Sequence, residues 1–520
     1  MTLLVISILV ILTAYFVNKY FLNFWTRHGF PQLNPKFLVG DAGSLLIAKI
    51  AIPDDYVEDL YQKTKHLKCV GAYNFYRPVL YVNDPEIIQN VLIRDFNNFH
   101  DRGIPIDEEN DPLSGHLFSL EGQKWRDLRI KLSPTFTSGK MKNMFSIIQD
   151  CCKVLEEYVE KNVKNSKNSF DIKNLFGRYN TNVISSVAFG IENDCINDPN
   201  NLFYHFGMKV FQPSFKTTLL NLAFMIAPGL MKTFHIKLAD DDVEKFFINT
   251  IRETVDYRER SNFKRNDFMN LLIQLKNQGY ISADKNENTN ELNVNQQNLK
   301  KISLNEISAQ AFVFFLASLE TSGSTMTFCL FEIAKNPSVQ QKVQEEIDTL
   351  IQSGEDISYD SISKLKYLEC CIDETLRKYM PVPILVRECI RDYKIPNTDL
   401  VIPKGTNVQI PMYALHRDPE IYDNPLEFKP ERFLNSSNGG GKLKNGIFYA
   451  PFGDGPRNCI GMRMGKMMTK IGLFTLLSKY SFDVVDKKLL HTEIEFKINQ
   501  FSVGPKDALN LRATKRFNIV

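Results

Sequence analysis

Cys459 lies in the stretch Pro451 to Gly465, PFGDGPRNCIGMRMG, among four glycines and two arginines, and it is one of nine cysteines in the chain. A thiolate is a strong, electron-donating ligand for iron, and proteins hold haem through it where O–O cleavage is the aim. The neighbours suit that chemistry. Gly455 and Gly461 would remove side chains that otherwise collide with a flat macrocycle. Phe452 could shield the sulfur from water, and Arg457 could meet a propionate. The following GMRMGKMMTKIGLFTLL has helical character, so its first N–H groups and its dipole would favour the charged thiolate. A lone cysteine is usually a small buried hydrophobe. Here, however, F-x-x-G-x-R-x-C-x-G fixes five residues, a chance event on the order of 10⁻⁴ in a chain of this length.

Three further groupings could do chemistry. Glu320 and Thr321 form an acid–alcohol pair, which can pass protons into a dry pocket, although a helical threonine commonly bonds the carbonyl one turn back. Trp125 and Arg129 are four apart on a predicted helix and share a face. Glu374 and Arg377 are one turn apart, a spacing that on its own is an ordinary surface pair. The odd cysteine count, two adjacent Cys–Cys pairs and the lack of C-x-x-C argue against a disulfide scaffold or a zinc site. With 63 basic and 60 acidic residues, no global charge speaks for nucleic acid.

On these motifs the chain resembles the cytochrome P-450 haem-thiolate monooxygenases. FGDGPRNCIG carries the haem-ligand signature, Glu374-Thr-Leu-Arg377 the E-x-x-R helix, and Pro430-Glu-Arg-Phe433 the P-E-R-F segment, with LHRDPE from Leu415 between them. The finer resemblance is to the insect microsomal branch, family six. It rests on NDPLSGHLFSLEG from Asn110, WRDLRIKLSPTFTSGKMKNMF from Trp125 and AQAFVFFLA from Ala309.

The resemblance implies a mainly α fold with a small β region and haem b held through Cys459. It gives Arg102, Trp125, Arg129, Arg387 and Arg457 to the propionates, and Glu320 and Thr321 to proton delivery. Arg432 would join Glu374 and Arg377 in a buried network that locks the cysteine loop. The implied activity inserts one oxygen atom of O2 into a lipophilic compound, with electrons from an NADPH-dependent FMN/FAD reductase and, as a second donor, cytochrome b5. The rival readings are a haem-thiolate isomerase or dehydratase working without O2, and a haem sensor or carrier without turnover. Substrate contacts are implied at Ile104 to Phe118, at Val382-Pro383-Ile384 and near Phe501-Ser502. One departure stands out: Ser318 occupies the position before the acid–alcohol pair where the family has glycine. Its side chain is expected to point into or beside the oxygen groove and partly restrict it, with a hydroxyl that can bond back to the Phe314 carbonyl.

Other segments must position these groups. TLLVISILVILTAYFVNKYFL, Thr2 to Leu22, is long enough as a helix to cross a bilayer core of roughly 30 Å, which predicts an anchor over 1–25 and a catalytic domain over 26–520. Lys19 near its end and Arg27, His28 and Lys36 beyond it predict a cytosolic body at the endoplasmic reticulum. Val70 to Val82 reads as a strand pair, and DPEIIQNVLI from Asp84 as a helix start. Ser303 and Glu306 form a capping box opening a helix of about 30 residues, apolar nearly all round, that must cross the core. Ile281 to Lys301 is polar and Asn-rich and reads as a connection. Thr218 to Phe234 is apolar without need and is expected to dip into the membrane surface. Basic residues Lys124, Arg126, Lys131, Lys140 and Lys142, with Arg463, Lys466 and Lys470, predict a docking face for an acidic electron donor.

Overall fold

The tight turn at Phe75-Tyr76 folds β1 (Cys69–Asn74) back on β2 (Arg77–Val82), with Asn74 opposite Arg77 and Pro78 opposite Tyr73. These are the two halves of the strand pair read from sequence. This computed structural model describes residues 13, 15–16, 19–37, 39–41, 53–166, 168–212, 214–282, 300–434, 449–498 and 502–516. Most of the expected anchor and of the Asn-rich connection lies outside them, as does Phe501.

The principal helices follow the amphipathic segments. They are α1 (Gly122–Leu132), α2 (Ser138–Lys164), α3 (Ile172–Ile184), α4 (Phe215–Ile226), α5 (Leu304–Lys335) and α6 (Lys366–Lys378). Beyond them come β3 (Leu385–Glu388), β4 (Asn407–Ile410) and α7 (Met462–Leu477). The sheet runs β1-β2-β4-β3, parallel only between β2 and β4.

Helix α5 is the axis of the molecule. Ser303 accepts from the Glu306 N–H while the Glu306 carboxylate accepts from the Ser303 N–H, the reciprocal cap foreseen from sequence, and Asn336-Pro337 ends the helix. Among the described residues it alone is long and apolar enough to span a membrane. Most of it is buried, as befits a core helix packed against α3, α6 and α7. Asp84 caps the helix at Pro85–Gln89 through the N–H groups of Glu86 and Ile87.

A second core lies under the sheet, and it reaches further toward the N-terminus than the sequence suggests. Trp25 is fully buried, its indole N–H donates to the Ala72 carbonyl at 3.1 Å, and Leu22 is 6% exposed. A Cβ on Gly71 would stand 2.1 Å from the Trp25 ring, so glycine is what admits the indole. Residues 22–25, expected within the anchor, therefore pack as part of the body.

Candidate active site

Cys459 is delivered by the loop between Tyr449 and α7. Its N–H donates to the Phe452 carbonyl at 2.8 Å, closing the loop. Gly453 and Gly455 take φ of +70° and +72°, in the left-handed region. A Cβ on Gly455 would sit 1.9 Å from the Leu92 carbonyl, so this glycine is required by packing of the loop on the segment Asn90–Arg94. That corrects the expectation that it spares a macrocycle. Gly461 differs: its Cβ direction meets nothing within 4 Å.

The thiol is open on one side and densely surrounded on the others. Burial pushes its pKa up, and the Gly461 N–H, Arg129 and Arg102 pull it back. Arg129 lies on α1 and places its guanidinium on the residue before the cysteine, with Nη1 to the Asn458 carbonyl at 2.9 Å and Nη2 to Oδ1 at 2.8 Å. This fork fixes the loop from outside.

Three more guanidiniums gather near the thiol, Arg457 from the loop itself and Arg102 and Arg387 from elsewhere in the chain. Arg457 donates to the carbonyls of His100, Phe118 and Leu120 and lies 4.7 Å from the centroid of the Trp125 ring. Arg102 donates to the Phe118 carbonyl at 2.8 Å and lies 4.1 Å from the Phe118 ring centroid. Arg387, on β3 and 2% exposed, donates to the Val386 carbonyl. Burial and their mutual repulsion push Arg387 down to about 10 and Arg102 well below the usual range. Arg457 is also pushed down to about 10 by burial, against the pull of Asp101, whose carboxylate is 3.5 Å away, and of Glu121. The Nε atoms of Arg387 and Arg457 are buried without a partner. Cations gathered at such electrostatic cost suit a dianionic group, and arginine forks fit carboxylates.

Glu374, Arg377 and Arg432 form a buried cluster. Arg377 Nε and Nη2 donate to the two Glu374 oxygens at 2.8 and 2.9 Å, Arg432 Nε adds a contact at 3.3 Å, and the Lys429 N–H one at 3.0 Å. Glu374 and Arg377 are both 0% exposed, so this i,i+3 pair is no surface contact. Arg377 also donates to the His416 carbonyl, and the His416 ring lies 5.5 Å from that of Tyr449, where the cysteine loop begins.

Such an arrangement of a cysteine loop, a cationic cradle and a buried Glu–Arg–Arg lock can be compared with known proteins. The sequence profile of the family described as Cytochrome P450 matches residues 35–509. The chain belongs to the cytochrome P450 family. It is 40% identical over 501 residues to cytochrome P450 6a2 of Drosophila melanogaster, covering 95% of this chain and 94% of that one. It is 39% identical to cytochrome P450 6A1 of Musca domestica, covering 97% and 96%, and 37% identical to probable cytochrome P450 6a14 of Drosophila melanogaster, covering 96% and 97%. Cytochromes P450 bind haem through a cysteine thiolate and are monooxygenases, so this chain is an oxygen-incorporating oxidoreductase that takes electrons from redox partners.

Although most of helix α5 is buried, one face of it is not. Ala317 is exposed although Phe315 and Leu319 are not, and Val313, Phe314 and Thr321 are half-buried, so this face borders open space. The Thr321 hydroxyl donates to the Ala317 carbonyl at 2.5 Å, the bond one turn back that helical threonines make. Glu320 points elsewhere. It is 5% exposed, with Lys173 Nζ 3.8 Å from its carboxylate, so the acid and the alcohol do not touch through a shared bond. Ser318 departs from expectation too: its hydroxyl lies 3.7 Å from the Met468 sulfur on α7, away from the Phe314 carbonyl.

Several of the basic residues are paired within the protein, Lys466 and Lys470 in largely buried contacts and Lys124 and Lys142 in exposed ones. Lys466 pairs with Asp373 and Glu369, Lys470 with Glu369, Lys124 with Glu108, and Lys142 with Asp360. Arg463 is exposed, and Arg126, also exposed, donates to Asn97 Oδ1 at 3.3 Å.

Proposed function

We propose that Cys459 would hold haem b through its thiolate and that the loaded enzyme oxygenates lipophilic compounds using NADPH-derived electrons. The observation that carries this reading is the cradle of Arg102, Arg387 and Arg457 beside an open-sided thiol, with two buried guanidinium nitrogens unpartnered. These arginines, with Trp125 and Arg129, would hold the propionates. Gly461 leaves room for the macrocycle, and Phe452, whose carbonyl accepts from the Cys459 N–H, would shield the sulfur from water. When bound, the haem supplies the activation of O2. The chain's own part is to keep the pocket dry and to manage protons. Val313, Phe314 and Ala317 offer an apolar wall. Thr321 holds a proton at Oγ1 on the open face, and Glu320, on the same turn and buried beside Lys173, would serve proton delivery with it.

Lipophilic substrates, whether xenobiotics, plant toxins, insecticides or endogenous steroids, would enter from the membrane. Phe215, Leu219, Ile226, Leu230 and Phe234 are exposed on α4 and the next short helix. Arg77 reaches the Phe224 carbonyl at 3.5 Å, and the Phe21 and Tyr76 rings pair at 6.2 Å, so this apolar patch and the N-terminal segment share the β1–β2 turn. The proposed anchor ends before Leu22, at the endoplasmic reticulum with the catalytic domain in the cytosol. The proposed donors are NADPH-cytochrome reductase and cytochrome b5.

Purified protein with reductase, NADPH and ¹⁸O2 should yield product carrying one labelled oxygen. NADPH-independent rearrangement of a hydroperoxide, or haem binding without turnover of any lipophilic compound, would overturn the proposal.

A further inference from the structure

Helix α3 packs along the back of α5, on the side away from the open face, and Asn180 is fully buried between them. Its Nδ2 lies 3.3 Å from both the Ser318 and the Leu319 carbonyl oxygens. Its Oδ1 is buried without a partner. Rotating the amide by 180° would aim that oxygen at two carbonyl oxygens, so the orientation with the NH2 group toward α5 is the one electrostatics allows. In a regular helix these carbonyls accept from the N–H groups of Ser322 and Gly323. A side-chain donor on the same oxygens competes with those bonds and tilts the carbonyls outward, a known cause of local bending. The turn affected spans Ala317 to Thr321, whose hydroxyl and carbonyl lie on the opposite, open side.

A second feature fits the same device. Gly323 sits inside a 32-residue helix, where glycine is unfavourable relative to alanine. A Cβ there would approach Asn180 Nδ2 to 3.2 Å, closer than is comfortable, so glycine leaves the amide its place. The Ser318 side chain is held independently by Met468. The turn is thus gripped from two directions, at its backbone by Asn180 and at its side chain by Met468.

We infer that Asn180 is a positioning residue for oxygen activation: by drawing the Ser318 and Leu319 carbonyls toward α3 it sets where the Ala317–Thr321 turn presents the Thr321 hydroxyl. This rests on the proposed role of Thr321 in proton handling. Asn180 touches neither substrate nor haem and acts only through the helix.

The test compares wild type with Asn180→Leu, which keeps the volume and removes the donor, with Gly323→Ala, which keeps the donor and presses on it, and with Thr321→Ala. In each holoprotein, product and hydrogen peroxide are measured per NADPH consumed, and amide hydrogen exchange is followed by mass spectrometry. Asn180→Leu should retain the thiolate-haem spectrum and a substrate KM within about twofold while peroxide per NADPH rises about threefold, as expected when a reacting group is held a fraction of an ångström off position. Exchange should slow in peptides covering 319–323 alone, because the helix N–H groups would no longer share these carbonyls with the Asn180 amide. Gly323→Ala should raise peroxide in the same direction by a smaller factor, and it decides the matter if Asn180→Leu does not load haem. Wild-type coupling in Asn180→Leu, or in Gly323→Ala where the first variant fails, overturns the inference. So does faster exchange spread over both helices, which would mark Asn180 as packing only. Should Thr321→Ala itself couple like wild type, the proton-handling reading falls and this inference with it. Should only Asn180→Leu and Gly323→Ala be silent, that reading stands and the inference alone is lost.

Discussion

Replacing Glu374 by glutamine keeps the shape of the side chain and removes its charge, which isolates what the charge does. The carboxylate accepts from Arg377 through two nitrogens, from Arg432 and from the Lys429 N–H, in a site that is 0% exposed for both Glu374 and Arg377. Glu374→Gln leaves two guanidiniums against a neutral amide. Removing one partner of a buried ion pair costs about 3–5 kcal/mol. Arg377 keeps its bonds to the His416 and Pro425 carbonyls, which points to the lower end of that range. A loss of about 3 kcal/mol raises the unfolded fraction more than a hundredfold, against a total stability on the order of 5–15 kcal/mol. The same i,i+3 spacing at Asp150 and Lys153 gives a 2.8 Å pair with both side chains 71% exposed, and Asp150→Asn should change stability by less than about 0.5 kcal/mol. The assay is urea unfolding followed by tryptophan fluorescence, together with the fraction of reduced, CO-bound protein that shows the thiolate-haem band. Glu374→Gln should lose both stability and haem, and Glu374→Gln/Arg377→Gln should cost less than the sum of the single changes. A Glu374→Gln variant within about 1 kcal/mol of wild type, with full haem content, would refute the reasoning.

The boundary of the anchor is testable by truncation. Removing residues 1–18 should weaken sedimentation with membranes, leaving a residual through the apolar patch at 215–234, with the haem spectrum intact, whereas removing 1–25 also deletes Trp25 and should cost about 3–5 kcal/mol in stability. His116, densely surrounded by protein, has its pKa pushed down to about 4, by burial first and by Arg102 as well. The unfolded chain therefore binds a proton that the folded protein refuses between about pH 6.5 and 4, so stability should fall as pH drops through that window, by at most about 3 kcal/mol. His116→Gln should flatten that slope in urea titrations at pH 7.5 and 5. Reductase-driven turnover should fall with ionic strength and in Arg463→Glu, whereas turnover driven by added peroxide should fall much less. Equal losses in the two assays would place the effect in the fold.

Local signals in the sequence determined local structure well. The capping box at Ser303 and Glu306, the strand pair around Pro78 and the stop at Asn336-Pro337 each rest on residues a few positions apart, and each appears where expected. The spacing of Glu374 and Arg377 is equally local, yet whether such a pair lies in water or in the core depends on Arg432 and Lys429, more than 50 residues away. Distance along the chain also hid what the basic runs do. Lys466 and Lys470 share one face of α7, and nothing near them reveals that Glu369 waits on α6. Gly455 had a plausible role beside the cysteine and a different actual neighbour in the Leu92 carbonyl. Ser318 was judged against its own helix, where back-bonding is the ordinary outcome, and the Met468 sulfur on another helix took its hydroxyl. Asn180 left no trace at all, because its partners are backbone oxygens 138 and 139 positions on.

The central claim is that Cys459 supplies the thiolate to haem iron, and the most direct test is the absorption spectrum of the reduced protein under carbon monoxide. The wild-type protein should show the strongly red-shifted Soret band of a thiolate haem, and Cys459→Ala should abolish it while leaving a folded chain. A wild-type band resembling an imidazole-ligated haem, or a thiolate band that survives in Cys459→Ala, would contradict the account.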